Sequence, residues 1–290
     1  MIAIAGGTGT LGTRLVPRLI GQGHAVRVLT RDIARARHLD GNGIEIVQSD
    51  VRDSASIDHA LRGADTVISA VSGFAGPGTS PASVDQAGNA NLVSAAVRAG
   101  AAFIQLSVVG ASPSHPIGLF RAKHAAEVTL RGSGIPWTIV RATAFMETWA
   151  AVMSQMLQTT GKIVVFGRGD NPVNFVSVTD VAALVVRAVS DSALHGQAIN
   201  LGGPENLTLN QVAGLVQEFT GRGAAVWHLP RPALRLMASL AVVKPALARQ
   251  ARAALVMDTI DMSFDSAPTR LAFPDVPETD MATAFKELLA

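Results

Sequence analysis

Seven residues near the start of the chain, Gly6-Gly7-Thr8-Gly9-Thr10-Leu11-Gly12, have the types and spacing to hold a pyrophosphate. They follow a short apolar run, Ile2 to Ala5, and open an amphipathic one, Leu11 to Gly21, so Gly-x-Gly-x-x-Gly stands between a strand and a helix. In that setting Gly7 allows the tight turn, Gly9 lets the backbone approach the phosphates, and Gly12 lets the helix pack closely on the strand. Exposed N–H groups and the positive end of the helix dipole then attract the anion. The whole turn, Gly6 and Thr8, Thr10 and Leu11 included, is expected to bind the cofactor. A plain strand-to-helix turn is the alternative use of the same residues.

Which dinucleotide is held depends on the end of the second strand, where Val26-Arg27-Val28-Leu29-Thr30 is followed by Arg31. A carboxylate there would accept from the ribose 2'-hydroxyl of NAD, whereas a guanidinium fork suits the 2'-phosphate of NADP. Arg14, Arg35 and Arg37 are close in sequence as second cations. NADP, as NADPH, is therefore expected ahead of NAD, although Asp32 offers Arg31 an ordinary surface pair. Asp50, after the third strand, either caps its own loop or accepts from the adenine amino group.

These residues need a frame, and the chain supplies one by alternation. Short apolar runs at 2–5, 25–30, 44–48, 66–70, 103–107 and 137–140 alternate with helical patterns at 11–21, 54–61, 84–99 and 119–133, as in parallel strands with crossover helices. Near-continuous hydrophobicity predicts strands buried on both faces. The fold expected is α/β, a Rossmann-like doubly wound parallel sheet with a smaller, interleaved C-terminal substrate region. After Arg141 the pattern loosens, and 161–174 reads as a short hairpin or connecting loop. Ser177-Val178-Thr179-Asp180 and Thr208-Leu209-Asn210-Gln211 have capping-box spacing and open helices to about 190 and 220. Between them 197–201 reads as a strand, and 231–258 as two helices broken at Pro245. The dinucleotide domain is thus set at 1–141 plus about 177–202, and the substrate region at 142–176 and 203–290.

Composition narrows the function. With 290 residues, 48% of them hydrophobic, a sizeable core is available. Lys plus Arg number 24 against 22 Asp plus Glu, with no basic run, which gives a nucleic-acid partner no support. Cysteine is absent, so disulfides, thiolate metal sites and Cys nucleophiles are excluded. The first residues run straight into the glycine turn without a charged leader, and the most apolar late segment, 236–243, is far shorter than the roughly 20 residues of a spanning helix. A cytoplasmic protein with a small-molecule substrate is expected, with no membrane partner; a homodimer is compatible with the sequence.

The glycine turn, Arg31, Ser49-Asp50-Val51-Arg52-Asp53 and Ser107-Val108-Val109-Gly110 together resemble the NmrA-like atypical short-chain dehydrogenases. So do Lys123-His124-Ala125-Ala126-Glu127 and Ser133 to Arg141, the resemblance covering 1 to about 215. It implies that Asp50-Val51 and the loop after strand four, Ala70-Val71-Ser72, touch the cofactor, and that Ala142-Thr143-Ala144-Phe145 lies near the nicotinamide. It further implies that Lys123 holds the ribose. The departure is large: these enzymes usually pair that lysine with a Tyr four residues earlier, here Leu119, and the chain contains no Tyr at all. A phenol relay is excluded.

Two residues remain as catalytic candidates. Lys123, partly desolvated, has the chemistry of an acid or base, or is a surface lysine paired with Glu127 at helical spacing. Ser107, at the carboxyl end of strand five, either bonds a substrate carbonyl or caps its loop. His115 and His124 lack metal-ligand spacing, so no metal is expected. Phe74, Phe120, Phe145 and Trp149 form a candidate apolar substrate wall or ordinary core, and the glycine-rich segment 73–78, Pro77 included, a candidate cover. The expectation is an NADPH-dependent reductase of a small apolar or aromatic carbonyl, enone or quinone. The rival is a non-catalytic NADP(H)-binding redox sensor or regulatory partner; sugar-nucleotide epimerisation, which relies on the tyrosine, ranks well behind.

Overall fold

The computed structural model describes residues 1–39, 41, 43–76, 78–221 and 223–289, so Pro77 lies outside the described residues. Up to residue 142 the elements are β1 (Ile2–Ala5), α1 (Gly12–Gly21), β2 (Val26–Thr30), β3 (Ile44–Gln48), α2 (Ser54–Ala60), β4 (Thr66–Ser69), α3 (Ala87–Ala99), β5 (Ala102–Val108), α4 (Gly118–Arg131) and β6 (Trp137–Ala142). Then come β7 (Ala144–Phe145), α5 (Met146–Thr160), β8 (Lys162–Phe166), β9 (Val173–Val176), α6 (Val178–Ser190), β10 (Gln197–Leu201), β11 (Asn206–Leu207), α7 (Leu209–Thr220) and β12 (Ala225–Leu229). Four helices close the chain: α8 (Arg231–Ser239), α9 (Pro245–Met257), α10 (Ala267–Ala272) and α11 (Met281–Leu289). They fall into two compact units, Met1–Ala142 with Val181–Asn200, and Thr143–Asp180 with Leu201–Ala290.

The first unit holds the seven-stranded sheet, in the order β10-β6-β5-β4-β1-β2-β3, with the pairings from β6 through β3 all parallel. The sheet is therefore the Rossmann-like one expected. Its strand order reverses between β1 and β4, the place where ligands collect in such sheets. β1 is buried along its whole length, and Phe103, Leu92, Leu130 and Ile139 pack the core beside it. β3 departs from the expectation of burial on both faces: it is an edge strand, and every one of its residues keeps some exposure. The helix read from residue 84 also differs in form. Pro81–Gln86 is a π-helical turn, capped by Ser80 through Ser83 N–H at 3.1 Å, which passes into α3.

The second unit corrects the reading of 161–174 as a hairpin. β8 pairs in parallel with β12, while β9 lies between β11 and β7, so the two strands belong to different sheets. Their connection is tied down by Asp258, whose Oδ1 accepts from Arg168 N–H (2.8 Å) and Gly169 N–H (3.3 Å). Gly167 is required there, since at φ +72° an added Cβ would lie 2.1 Å from the Asp258 carboxyl carbon. The capping box at 177–180 is replaced by another device. Ser177 Oγ accepts from Thr179 N–H at 3.1 Å, but the buried Glu147 carboxylate takes Val178 N–H and the Ser177 hydroxyl, and Asp180 turns to Thr279 and Arg270. The box at Thr208 and Gln211 forms in both directions.

Asn174, 1% exposed, joins several of these pieces. Its Oδ1 accepts from Gly203 N–H and the Thr143 hydroxyl, both at 2.9 Å, and its amide hydrogens face Gly203 O (3.1 Å), Glu205 O (3.2 Å) and Asn206 Oδ1 (3.1 Å). Removing the amide strands buried donors and acceptors at about 1–3 kcal/mol each. Asn174→Ala is expected to lower the unfolding free energy by about 3 kcal/mol, as measured by urea denaturation.

Candidate functional site

The glycine turn sits at the carboxyl end of β1 against the end of β4. Gly6, not Gly7, carries the left-handed conformation (φ +91°), and a Cβ there would stand 2.6 Å from Ala70 O. Gly7 is needed for closeness instead, because its Cβ would meet Val28 Cγ1 at 2.9 Å. At Gly12 a Cβ would lie 2.4 Å from Gly6 O and from the Gly7 backbone, which agrees with close packing of α1. Gly9 closes the turn by donating to Gly6 O at 3.0 Å. Among the described residues the N–H groups of Thr10, Leu11 and Gly12 have no acceptor, and Leu11 offers no side-chain cap. Unpaired donors at a helix start, ringed by backbone with no room for a Cβ, fit a pyrophosphate.

Past β2, Arg31 is exposed, and the pair with Asp32 does not form among the described residues. Asp32 instead accepts from Ala34 N–H at 2.9 Å and caps the 3-10 segment Ile33–Leu39. Asp50 takes up the loop-holding use. Arg52 grips its carboxylate with Nε (3.0 Å) and Nη2 (2.6 Å) and with its own N–H (3.0 Å), and reaches Gly78 O with Nη1. The hydrogen bond from Arg52 is the main reason the Asp50 carboxyl lies below its usual range. Val51 O accepts from Asn91 Nδ2 at 2.9 Å. The 73–78 segment is pinned at several points: Gly73 N–H donates to Asp85, Thr79 Oγ1 to Gly76 O, and Arg52 to Gly78 O.

α4 carries the least expected arrangement. Lys123 is 5% exposed, so the surface reading fails, and Glu127, 0% exposed, is not its partner. Lys123 Nζ donates to Val71 O (2.9 Å) at the end of β4 and to Leu106 O (3.0 Å) on β5. Asp85 Oδ1 lies 3.0 Å from Nζ, an ion pair too bent to count as a hydrogen bond; Asp85 Oδ2 is held by Gly73 N–H at 2.8 Å. Glu127 has its own set: Ser107 Oγ (2.5 Å), Arg141 Nε (2.8 Å) and Nη2 (2.5 Å), and Arg131 Nη2 (3.0 Å). Burial pushes the Glu127 carboxyl up, but the bonds from Arg141 and Ser107 and the two guanidinium charges outweigh it and hold it below its usual value. Ser107 spends its one proton on Glu127, so it can meet a ligand only as an acceptor.

The aromatic candidates divide between the units. In the first, Phe120 stacks on His115 with ring centroids 4.0 Å apart, leaving one face of Phe120 uncovered by that ring, and Ser72 Oγ accepts from Phe74 N–H. Burial pushes the His115 imidazole below its usual range, and Nδ1 accepts from Ile117 N–H at 3.1 Å. In the second, Trp149 meets Phe175 edge-on at 6.3 Å against the core of that unit, and Phe145 pairs with Val176 in β7. Thr143 gives its hydroxyl to Asn174. Asp85, Arg52 and Arg141 were missed by sequence reasoning. Only the Ser80-Pro81-x-Ser83 spacing hints that 81–86 is ordered, and nothing local shows that its carboxylate faces Lys123. Among the described residues there is no metal-binding cluster of His, Asp and Glu.

A parallel sheet with an anion-binding glycine turn at its reversal point defines a Rossmann-like dinucleotide-binding fold. The NmrA-like family model matches residues 1–272, and the chain belongs to that family. Similar relatives include the (4-alkanoyl-5-oxo-2,5-dihydrofuran-3-yl)methyl phosphate reductase of Streptomyces griseus, 31% identical over 77% of this chain and 74% of the relative. The NAD(P)H azoreductase of Xenophilus azovorans is 29% identical over 77% and 74%. The NADPH-dependent quinone oxidoreductase of Escherichia coli, solved with NADPH, superposes with a TM-score of 0.80 over 100% of both chains at 24% identity and shares the fold.

The Glu127 cluster generates a pH-dependent prediction. A carboxyl held below its usual value of 4.5 contributes stability that is present above that pH and lost as the pH falls through the lower folded value. Arg141 and Arg131 are partly solvated, so Glu127→Gln is expected to cost about 2–3 kcal/mol at pH 7. The deficit relative to wild type is expected to shrink below pH 4.5 in urea titrations run across pH.

Proposed function

We propose that the chain is an NADPH-dependent reductase that delivers hydride to a small conjugated carbonyl, enone, quinone or related apolar acceptor, with no side chain of its own acting as acid. One observation supports the absence of an acid: Ser107 at the end of β5 and Lys123 on α4, the two side chains that could give a proton there, are already engaged. Ser107 gives its proton to Glu127, Lys123 spends two N–H groups on backbone carbonyls and turns toward Asp85, His115 Nδ1 accepts from Ile117 N–H, and the chain contains no tyrosine.

The glycine turn would hold the pyrophosphate, with the N–H groups of Thr10, Leu11 and Gly12 as donors. Arg31 would take the 2'-phosphate, Asp50 and Val51 the adenine side, and Ala70, Val71, Ser72 and Lys123 the ribose. NADPH supplies the hydride. Hydride addition leaves one negative charge on the acceptor. An isolated ketone would carry it on a single strongly basic oxygen and need an acid, whereas a conjugated acceptor spreads it and takes its proton from water. The acceptors named for the relatives, an azo group, a quinone and an oxo-dihydrofuran, are conjugated, which supports the reading. Phe74 and Phe120 of the first unit are the candidate apolar wall. Engaged protons would equally suit a sensor that binds NADP(H) without turnover, and it is the conjugated acceptors of the relatives that favour the enzyme.

Acceptor panels separate the two. NADPH oxidation is expected with quinones and azo dyes and to be on the order of 100-fold slower with an unconjugated ketone. Gly12→Ala is expected to abolish NADPH binding, and Arg31→Ala to weaken NADPH about tenfold while leaving NADH unchanged. Tight NADPH binding without turnover on any acceptor would overturn the enzyme in favour of the sensor.

A further inference from the structure

Residues 231–257 contain five basic side chains and no acidic one, in a chain whose total charge is only +2. They form the antiparallel pair α8 and α9, whose base is fixed by Arg231 Nε on Asp258 Oδ2 (2.5 Å) and by packing of Leu234, Ala251 and Ala254. The opposite end is apolar and uncovered. Leu236 (68% exposed) and Leu240 (38%) lie one turn apart and lead into Val242 (96%) and Val243 (77%). Single exposed apolar residues are ordinary, but four that adjoin at the tip of a hairpin are not. Arg235, Lys244 and Arg252 are exposed alongside them.

We propose that this tip is a docking surface for an anionic lipid bilayer, with Leu236, Leu240, Val242 and Val243 entering the headgroup boundary and Arg235, Lys244 and Arg252 meeting lipid phosphates. The occupant is chosen by charge. A second copy seated on the same patch would bring these cations face to face, because a two-fold interface apposes like with like. An anionic bilayer matches both the apolar tip and the positive rim, the two signals stable surface attachment requires. The tip stands about 13 Å from the base, the length of the nine residues of α8. No described helix is long and apolar enough to cross a membrane, and lying on one requires none. The sequence-based expectation of no membrane partner rested on span length alone.

The test is flotation of the full chain with vesicles of phosphatidylcholine, alone or mixed with phosphatidylglycerol. The wild type is expected to float with the mixed vesicles and to be released by salt. Val242→Asp with Val243→Asp is expected to reduce binding at least about tenfold, and Arg235→Gln with Lys244→Gln about 25-fold, near fivefold per charge. These positions are exposed, so thermal unfolding should be unchanged in both variants. Equal binding to neutral vesicles, undiminished flotation of either variant, or no flotation of the wild type would overturn the proposal. A tip variant that shifts self-association of the free protein in sedimentation, without vesicle binding by the wild type, would assign the surface to a second copy instead.

Discussion

Two opposite charges buried one turn apart on α4 set the rest of the first unit. Neither Lys123 nor Glu127 neutralises the other. A buried charge without a partner costs several kcal/mol, so each has recruited its own ligands from different strands. Lys123 draws Val71 O and Leu106 O together and faces Asp85, while Glu127 gathers Ser107, Arg131 and Arg141. One helix thereby fastens the carboxyl ends of β4, β5 and β6. Losing either charge would leave the opposite set uncompensated, which makes α4 a structural clamp before it is anything else.

The clamp has a chemical consequence. Ser107 and Lys123, the candidates for supplying a proton, are the groups that hold the strands in place. The glycine turn beside them keeps its donors unpaired, since a Cβ at Gly6 or Gly12 would collide with neighbouring backbone. One side of the reversal point therefore offers unpaired donors to an anion, and on the other Ser107 and Lys123 are already engaged. That division matches hydride transfer to acceptors able to carry negative charge by themselves.

Much of this frame was legible in the sequence. Strand and helix periods, the glycine spacing and the capping box at Thr208 are local signals, and apart from the start of α3 their elements formed within a residue or two of the expected bounds. The misses are long-range. The hairpin reading of 161–174 failed because β8 finds its partner in β12, some sixty residues on. Asp180 left its expected box for Arg270 and Thr279, ninety or more residues away. Lys123 was a candidate in the sequence and Glu127 only its possible partner, since their four-residue spacing suggested a surface pair. Burial reversed that, and burial is not written in the local pattern. Asp85 gave no sign at all, because a π-helical turn has no signature that periodicity detects.

The central claim is that hydride transfer here proceeds without a titrating acid of the protein. It is tested most directly by the pH dependence of kcat with a quinone acceptor, in the wild type and in Lys123→Met. A profile flat from pH 6 to pH 9 in the wild type, with no ionisation removed by the substitution, is predicted. A single ionisation that controls kcat in the wild type and vanishes in Lys123→Met would show the lysine to be the acid and contradict the account.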